Sequence, residues 1–312
     1  MNWISKFIKP KIKSLFKKKT SENDETLWTT CECKNLIYKE DLESNFHCCP
    51  KCGVHHKISC KERFQIFFDD KQFEIIETPQ PYDDPLSFSD KKKYIDRLKA
   101  ARKLTNQNDA VAIAKGKIDG MDVIVGAQDF RFIGGSFGLH SAEAFISGVQ
   151  HAINNKTPYL FFVSSGGIRL MESTMALTKG MAGTTLAINE LKKQNLPYIV
   201  ILTNPSVGGV AASFGMLGDF LIAEPKSIVG FAGKRVIQDT VREALPENFQ
   251  EAESVKEFGA VDLVVERKYL KSTVSTLLKV LTKSYEKQSQ ANSNIQIDAN
   301  LAEQISSKTS SG

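Results

Sequence analysis

Leu160-Phe161-Phe162-Val163-Ser164-Ser165-Gly166-Gly167-Ile168-Arg169 is the stretch from which the rest of the chain can be read. The apolar run from Tyr159 to Val163 predicts a buried strand. It stops at Ser-Ser-Gly-Gly, and a helical pattern follows from about Glu172 to Lys193. Strand, glycine turn, helix is where an α/β protein presents backbone N–H groups that its own ladders leave unpaired. Two adjacent glycines let a ligand approach those groups closely, and the helix dipole adds partial positive charge. A second copy lies downstream. Tyr198 to Thr203 reads as a strand, Asn204-Pro205-Ser206-Val207-Gly208-Gly209 as a turn, and Val210 to Leu217 as a helix. Two such turns on one cleft would make a two-donor pocket for a developing oxyanion. The plainer reading is of two ordinary loops whose glycines serve tight turns only.

The chain has 312 residues and ordinary globular composition, enough for one large domain and a small module. Its net charge of +5 is uneven, with Lys6, Lys9, Lys11, Lys13, Lys17, Lys18 and Lys19 crowded at the N-terminus. The remainder is close to neutral, which argues against nucleic-acid binding along the whole length. The first residues mix lysines with apolar side chains and contain no continuous apolar core, so a secretory signal is not expected. No segment has the length of a spanning helix, and a cytoplasmic protein is expected. The basic tail reads as a frayed, solvated segment, or as an amphipathic helix on an anionic membrane.

All six cysteines fall between Cys31 and Cys60, the pattern of a local metal site rather than of a disulfide framework. Cys49-Pro50-Lys51-Cys52-Gly53 is a strong signal for a knuckle whose two thiolates meet one metal. With Cys31-Glu32-Cys33 it suits a four-thiolate zinc ribbon, Cys31, Cys33, Cys49 and Cys52 being the ligands. The first pair is one residue shorter than Cys-x-x-Cys. Cys48, His47 or His55 could replace one ligand, or the ribbon could have lost its metal. Cys60 reads as a packed apolar residue.

The expected organisation is a basic flexible tail over 1–26, a zinc ribbon over 27–60, an α/β domain over 61–286 and a disordered tail over 287–312. From Lys61 to about Asp109 the pattern is helical but irregular. Val111 to Ile118, Asp119-Gly120 and Met121 to Gln128 predict a β-hairpin. Phe132-Ile133-Gly134-Gly135-Ser136-Phe137-Gly138 is a third glycine-rich turn, followed by a helix from about Ser141 to Asn154. Further on, Phe220 to Ala223, Ile228 to Gly230 and Leu263 to Val265 read as strands. Val236 to Glu243, Gln250 to Phe258 and Tyr269 to Glu286 read as helices. Alternating strands and helices imply parallel pairing with crossover helices.

There is no Gly-x-x-x-x-Gly-Lys-Ser/Thr, and no Gly-x-Gly-x-x-Gly follows a strand, so a P-loop and a dinucleotide fold are set aside. Gly209-Val210-Ala211-Ala212-Ser213-Phe214-Gly215 resembles the nucleophile turn of self-compartmentalising proteases. Their histidine follows the serine, whereas no histidine follows His151 here, so Ser213 reads as a small structural residue. Those proteases share their fold with the crotonase superfamily.

The resemblance then becomes specific. It is carried in order by Trp28…Cys31…Tyr38…Cys49-Pro50-Lys51-Cys52, Phe132-Ile133-Gly134-Gly135-Ser136, Ser165-Gly166-Gly167-Ile168-Arg169, Gly208-Gly209-Val210…Ser213-Phe214…Leu217-Gly218-Asp219 and Gly230-Phe231-Ala232-Gly233-Lys234-Arg235. Together these resemble the carboxyltransferase β subunits of bacterial acetyl-CoA carboxylases. The departures are Ile168 for a usual Ala, Lys234 for a usual Pro, and the short first cysteine pair.

The resemblance implies an α/β crotonase (ClpP/crotonase-like) domain with a small N-terminal four-cysteine zinc ribbon. It implies transfer of a carboxyl group from carboxybiotin to acetyl-CoA, giving malonyl-CoA, the first step of fatty acid synthesis. The enolates formed in that reaction need backbone donors rather than a side-chain base or a catalytic metal. Gly208, Gly209, Gly167 and Ile168 are then the catalytic candidates. Gly134, Gly135, Gly166, Arg169 and Arg235 are candidates for substrate binding, with Lys234 a further cation beside Arg235. The zinc is structural. The biotin belongs to a separate carrier protein, since no Ala-Met-Lys-Met motif and no ATP-binding loop occur here. The implied partners are a carboxyltransferase α subunit in an assembly of two α and two β chains, the biotin carboxyl carrier protein and biotin carboxylase. The competing reading is a zinc-ribbon nucleic-acid-binding protein on a non-catalytic crotonase-like domain.

Overall fold

A computed structural model describes residues 27–242 and 244–282, and the expected terminal tails lie outside them. The chain divides into two compact units that meet at Val54 and His55. Cys60, expected to close the ribbon segment, instead opens a helix of the larger unit. Ser59 and Glu62 form a capping box at its start.

In the smaller unit, β1 (Trp28–Thr30) and β2 (Leu36–Tyr38) pair antiparallel, and α1 (Lys39–Ser44) follows directly. Ile37 and Leu42 are buried with Cys31 and Cys49, a core too small to stand without a cross-link.

The larger unit is built on one mixed sheet. After α2 (Cys60–Phe67) come β3 (Phe73–Ile76), α3 (Tyr94–Thr105) and the hairpin β4 (Val111–Ile118) and β5 (Met121–Gln128). Then follow α4 (Leu139–Asn155), β6 (Tyr159–Ser165), α5 (Ser173–Leu177), α6 (Thr184–Lys193) and β7 (Tyr198–Val207). The last elements are β8 (Phe220–Ala223), β9 (Val229–Gly230), α7 (Lys234–Val241), α8 (Ala252–Glu257), β10 (Leu263–Val264) and α9 (Arg267–Leu281). The strand order is β10-β8-β7-β6-β5-β4-β3, with β9 paired to the far end of β7. Pairing is parallel from β10 to β5 and antiparallel from β5 to β3.

The hairpin is as its Asp-Gly turn predicts. Asp119 and Gly120 both have positive φ, the twist that a two-residue hairpin needs. Asp69 accepts both turn N–H groups, at 3.0 and 2.9 Å. β6 is buried on both faces. Tyr159, Phe161 and Val163 join the core that includes Phe145 of α4 and Ile188 of α6. Leu160 and Phe162 join the core that includes Phe64 of α2 and Val274 of α9. A strand covered by helices on both sides reads as a continuous apolar run, which is why its sequence shows no alternation.

Four expectations are corrected. The irregular segment after Lys61 contains the edge strand β3 as well as helices. The helix expected from Glu172 to Lys193 runs on through αR backbone at both junctions, but it contains a π-helical turn over Thr178–Gly183 between α5 and α6. Buried Gly180 sits against the Phe137 ring, and Thr184 donates to its carbonyl at 2.8 Å, so local packing displaces the regular ladder. The turn expected from Asn204 is the second half of β7, because β9 supplies partners for Ser206 and Val207. The helix expected over Val210 to Leu217 is a run of turns ending in a 3-10 segment, Phe214–Met216. Gly215 N–H returns to the Val210 carbonyl, and a Cβ at Gly215 would stand 2.7 Å from that oxygen.

Candidate functional site

β6 and β7 are adjacent parallel strands, and both glycine turns leave from their C-terminal ends, where open α/β sheets bind ligands. Val163 faces Leu202 and Ser165 faces Ser206, so β7 carries two extra residues between these pairs. The Thr203 and Ser206 hydroxyls close that bulge on the Val163 carbonyl, at 2.6 and 3.3 Å. The two loops are thereby brought into backbone contact. A Cβ on Gly208 would lie 2.8 Å from Gly167 Cα, and both glycines have positive φ.

The third glycine-rich turn, Phe132 to Gly138, supports the β6 loop. Gly135 has φ +61, and a Cβ there would lie 1.9 Å from the Ser164 carbonyl oxygen. Gly166 N–H donates to Gly134 O at 2.9 Å, and Ser165 Oγ donates to Gly135 O at 2.8 Å.

Five N–H groups belong to the two oxyanion candidate turns. Gly166 donates to Gly134, Gly167 to Ser165 Oγ at 3.0 Å, and Gly208 to the Gly230 carbonyl at 3.2 Å. Ile168 lies in a bridge with Phe137 whose hydrogen bonds run through its neighbours, from Phe137 N–H to Gly167 O and from Arg169 N–H to Phe137 O. Among the described residues, the N–H groups of Ile168 and Gly209 alone of these five have no acceptor. Gly166, Gly167 and Gly208 shape the turns, and Ile168 and Gly209 hold the open donors.

Arg169, expected to bind substrate, is 1% exposed and faces inward. It grips Asp109 with two hydrogen bonds of 2.7 and 2.8 Å, donates to the Ser136 carbonyl at 2.6 Å and pairs with Glu172 at 3.3 Å. Tyr94 also donates to Glu172, which accepts the first N–H of α4, and Ser141 donates to Asp109. Burial would raise the Asp109 carboxyl, but the Arg169 guanidinium outweighs it and holds that group below the usual carboxylate range. Arg169 therefore braces the β6 loop against the Gly134–Ser136 turn and meets no solvent phosphate. Sequence reading missed Asp109, Tyr94 and Glu172. Only the Arg169–Glu172 spacing of three residues carried a local signal. The Arg235 and Lys234 side chains lie outside the described residues.

Ser213 Oγ donates to the Gly209 carbonyl at 2.7 Å, and His140 contacts Gln80 and Asp83, so these two do not pair. A cavity of about 740 Å³ opens beside Cys60, Phe73, Gln107 and Val111, but none of the open-donor residues lines it. Ile168 and Gly209 are each partly exposed.

In the smaller unit the sulfurs of Cys31, Cys33, Cys49 and Cys52 all lie within 4.8 Å of one another. Cys31 and Cys52 are 3.6 Å apart, and Cys33 and Cys49 are 3.9 Å apart. Four thiolates at the usual zinc–sulfur distance of a tetrahedral ion would be about 3.8 Å apart. The donor set therefore fits zinc despite the short first pair. Gly53, at φ +74, donates to the Cys49 carbonyl and closes the knuckle. The Asn35 side-chain amide donates to Cys33 Sγ and draws that thiol down to about 6, toward the thiolate that a metal needs. Among the alternatives, Cys48 turns to the Phe46 carbonyl, His55 meets Glu224 in the larger unit, and His47 is not one of the four clustered ligands.

The class is that of crotonase-fold carboxyl transferases. The family model described as Carboxyl transferase domain matches residues 84–305, and that of the Acetyl-CoA carboxylase zinc finger domain matches residues 28–52. A Pelagibacter ubique protein named acetyl-coenzyme A carboxylase carboxyl transferase subunit beta is 49% identical over 287 residues, covering 91% of this chain and 92% of its own length. One of the same name from Methylocella silvestris is 44% identical and is covered over 98% of its length. The chain belongs to the family of acetyl-coenzyme A carboxylase carboxyl transferase beta subunits. Among solved structures, transcarboxylase 12S with hydrolysed methylmalonyl-coenzyme A bound matches at TM-score 0.58 and 25% identity. That match covers 72% of this chain and 41% of the longer transcarboxylase chain. A Pseudomonas malonate decarboxylase hetero-dimer shares the fold at TM-score 0.55 and 19% identity, covering 71% of this chain and 86% of that one.

Proposed function

We propose that this chain is the β subunit of an acetyl-CoA carboxylase carboxyltransferase, moving a carboxyl group from carboxybiotin to acetyl-CoA to give malonyl-CoA in the cytoplasm. The observation that carries this is the pair of open N–H groups, Ile168 and Gly209, on abutting loops. Loss of a methyl proton from the thioester places negative charge on its carbonyl oxygen. Two fixed backbone donors stabilise that charge without being ionised themselves. Carboxybiotin, delivered as a substrate on its carrier protein, releases its carboxyl group as CO2, the biotin anion left behind takes the methyl proton, and the thioester enolate adds to the CO2. Gly166, Gly167 and Gly208 hold the donors in place, and Gly134 and Gly135 buttress them. Arg235 is proposed as a contact for CoA phosphate. The four thiolates of Cys31, Cys33, Cys49 and Cys52 would hold a structural zinc, which cross-links the small core.

Ile168 and Gly209 are partly exposed, and Leu170, two residues after Ile168, is exposed, as are Leu177 and Leu186 further along the chain. A related α subunit covering this face would complete the site and bring the biotin side, in an assembly of two α and two β chains with biotin carboxylase and the carrier protein. The test is malonyl-CoA-dependent carboxylation of free biotin by this chain alone and mixed with the α subunit. Activity should appear only in the mixture, together with a heteromeric species. Full activity from the isolated chain, or no association at micromolar concentration, would refute the half-site reading. The nucleic-acid alternative is disfavoured by family membership over both units.

A further inference from the structure

The open donors have an apolar wall. A Cβ built on Gly209 would stand 2.4 Å from Ile168 Cγ1, 3.4 Å from Ile168 Cδ1 and 3.3 Å from Met181 Sδ. The Ile168 side chain therefore lies over the Gly209 backbone, with Met181 beside it. Met181 belongs to the π-helical turn, and a Cβ built on Gly180, the residue before it, would stand 3.1 Å from Phe137 and 3.6 Å from Ile168 Cδ1. Phe137 is fully buried, while Ile168 and Met181 are partly exposed. On the other side, the contact between Gly167 and Gly208 closes the space between the loops. An acyl chain whose oxygen reached the Gly209 N–H would pass the Ile168 side chain, which lies over that backbone.

We propose that Ile168, backed by Met181, is the residue that limits the acyl group this site accepts to two carbons. The proposal rests on the carboxyltransferase reading given above. A β-branched side chain is stiff at χ1, and Ile168 has Met181 and Gly180 as neighbours, so it does not swing clear of a longer chain. Met181 is unbranched and adapts, so it is the secondary determinant. One methylene in an apolar pocket discriminates by roughly 10- to 200-fold.

The experiment uses the chain assembled with its α subunit and compares malonyl-CoA with methylmalonyl-CoA, which carries one more methyl, as donors to free biotin. The readout is the ratio of the two kcat/KM values, which does not depend on how far a variant lowers the overall rate. Ile168→Ala should raise the methylmalonyl-to-malonyl ratio by about tenfold or more. Met181→Ala should raise it by less, and Ile168→Val should raise it slightly while disturbing the fold least. Ratios within twofold of the wild type in all three variants, with malonyl-CoA still turned over, would overturn the proposal. A wild-type assembly that uses neither thioester overturns the carboxyltransferase reading and the proposal with it.

Discussion

At the residue scale, Gly209 combines two requirements that no other residue type meets. Its N–H is one of the two open donors, and its Cα face is already occupied by Ile168. Gly209→Val should therefore lose roughly 100- to 1000-fold in kcat, as when one oxyanion donor is removed. The measurement is steady-state turnover in the assembled enzyme, with circular dichroism to show that the variant is folded. Near-normal turnover would remove Gly209 from the site. Arg169 obeys a different logic. Its charge is compensated by Asp109 and Glu172 in the interior, so it acts on the site through the loop it braces.

At the element scale, the ribbon consists of two short strands, one helix and four sulfurs at tetrahedral spacing. Its few buried apolar residues cannot balance the conformational entropy of ordering it, so a metal held by the four thiolates would carry its folding. Metal analysis of the purified protein should give about one zinc per chain. Cys33→Ser should lower that content sharply, and chelation should change the fluorescence of Trp28, which packs on Tyr38 at 5.3 Å between ring centroids. A well-folded chain without zinc would show that the Cys31–Cys33 spacing has disabled the ribbon. The π-helical turn is the matching device in the larger unit. It sits within the helical run from Ser173 to Lys193, and Met181, inside it, stands beside Ile168 over the Gly209 backbone.

On the scale of the whole molecule, two buried ion clusters tie distant parts of the larger unit together. Asp109 joins α3's end to the β6 loop through Arg169, and Glu224 joins β8 to α2 and α9 through Arg63 at 2.6 Å and Arg267 at 2.7 Å. Burial would raise Glu224, but the two guanidinium groups hold it well below its ordinary value. Both carboxyls thus have folded pKa values below their unfolded ones. Their stabilisation is fully present above the unfolded values, about 3.9 for Asp and 4.3 for Glu, and is lost as pH falls through the lower folded values. The melting temperature, followed by far-UV circular dichroism, should be nearly flat from about pH 7 to 5 and fall steeply below about pH 4. A large loss between pH 7 and 5.5 would assign acid sensitivity to other groups.

The sequence by itself determined what rests on near neighbours. The Asp-Gly turn placed the hairpin of β4 and β5 at its observed residues, because the required backbone twist is a property of those two positions. The clustering of Cys31, Cys33, Cys49 and Cys52 was legible from spacing, and β6 from an apolar run bounded by glycines. The edge strand β3, the extension of β7 and the partners of Arg169 were not legible. Each depends on a segment far along the chain, Asp109 being 60 residues from Arg169. Tertiary structure also decided which of five similar N–H groups stay open. A backbone donor is free only when no carbonyl reaches it, and the carbonyls concerned come from other turns, from Gly134 for Gly166 and from Gly230 for Gly208.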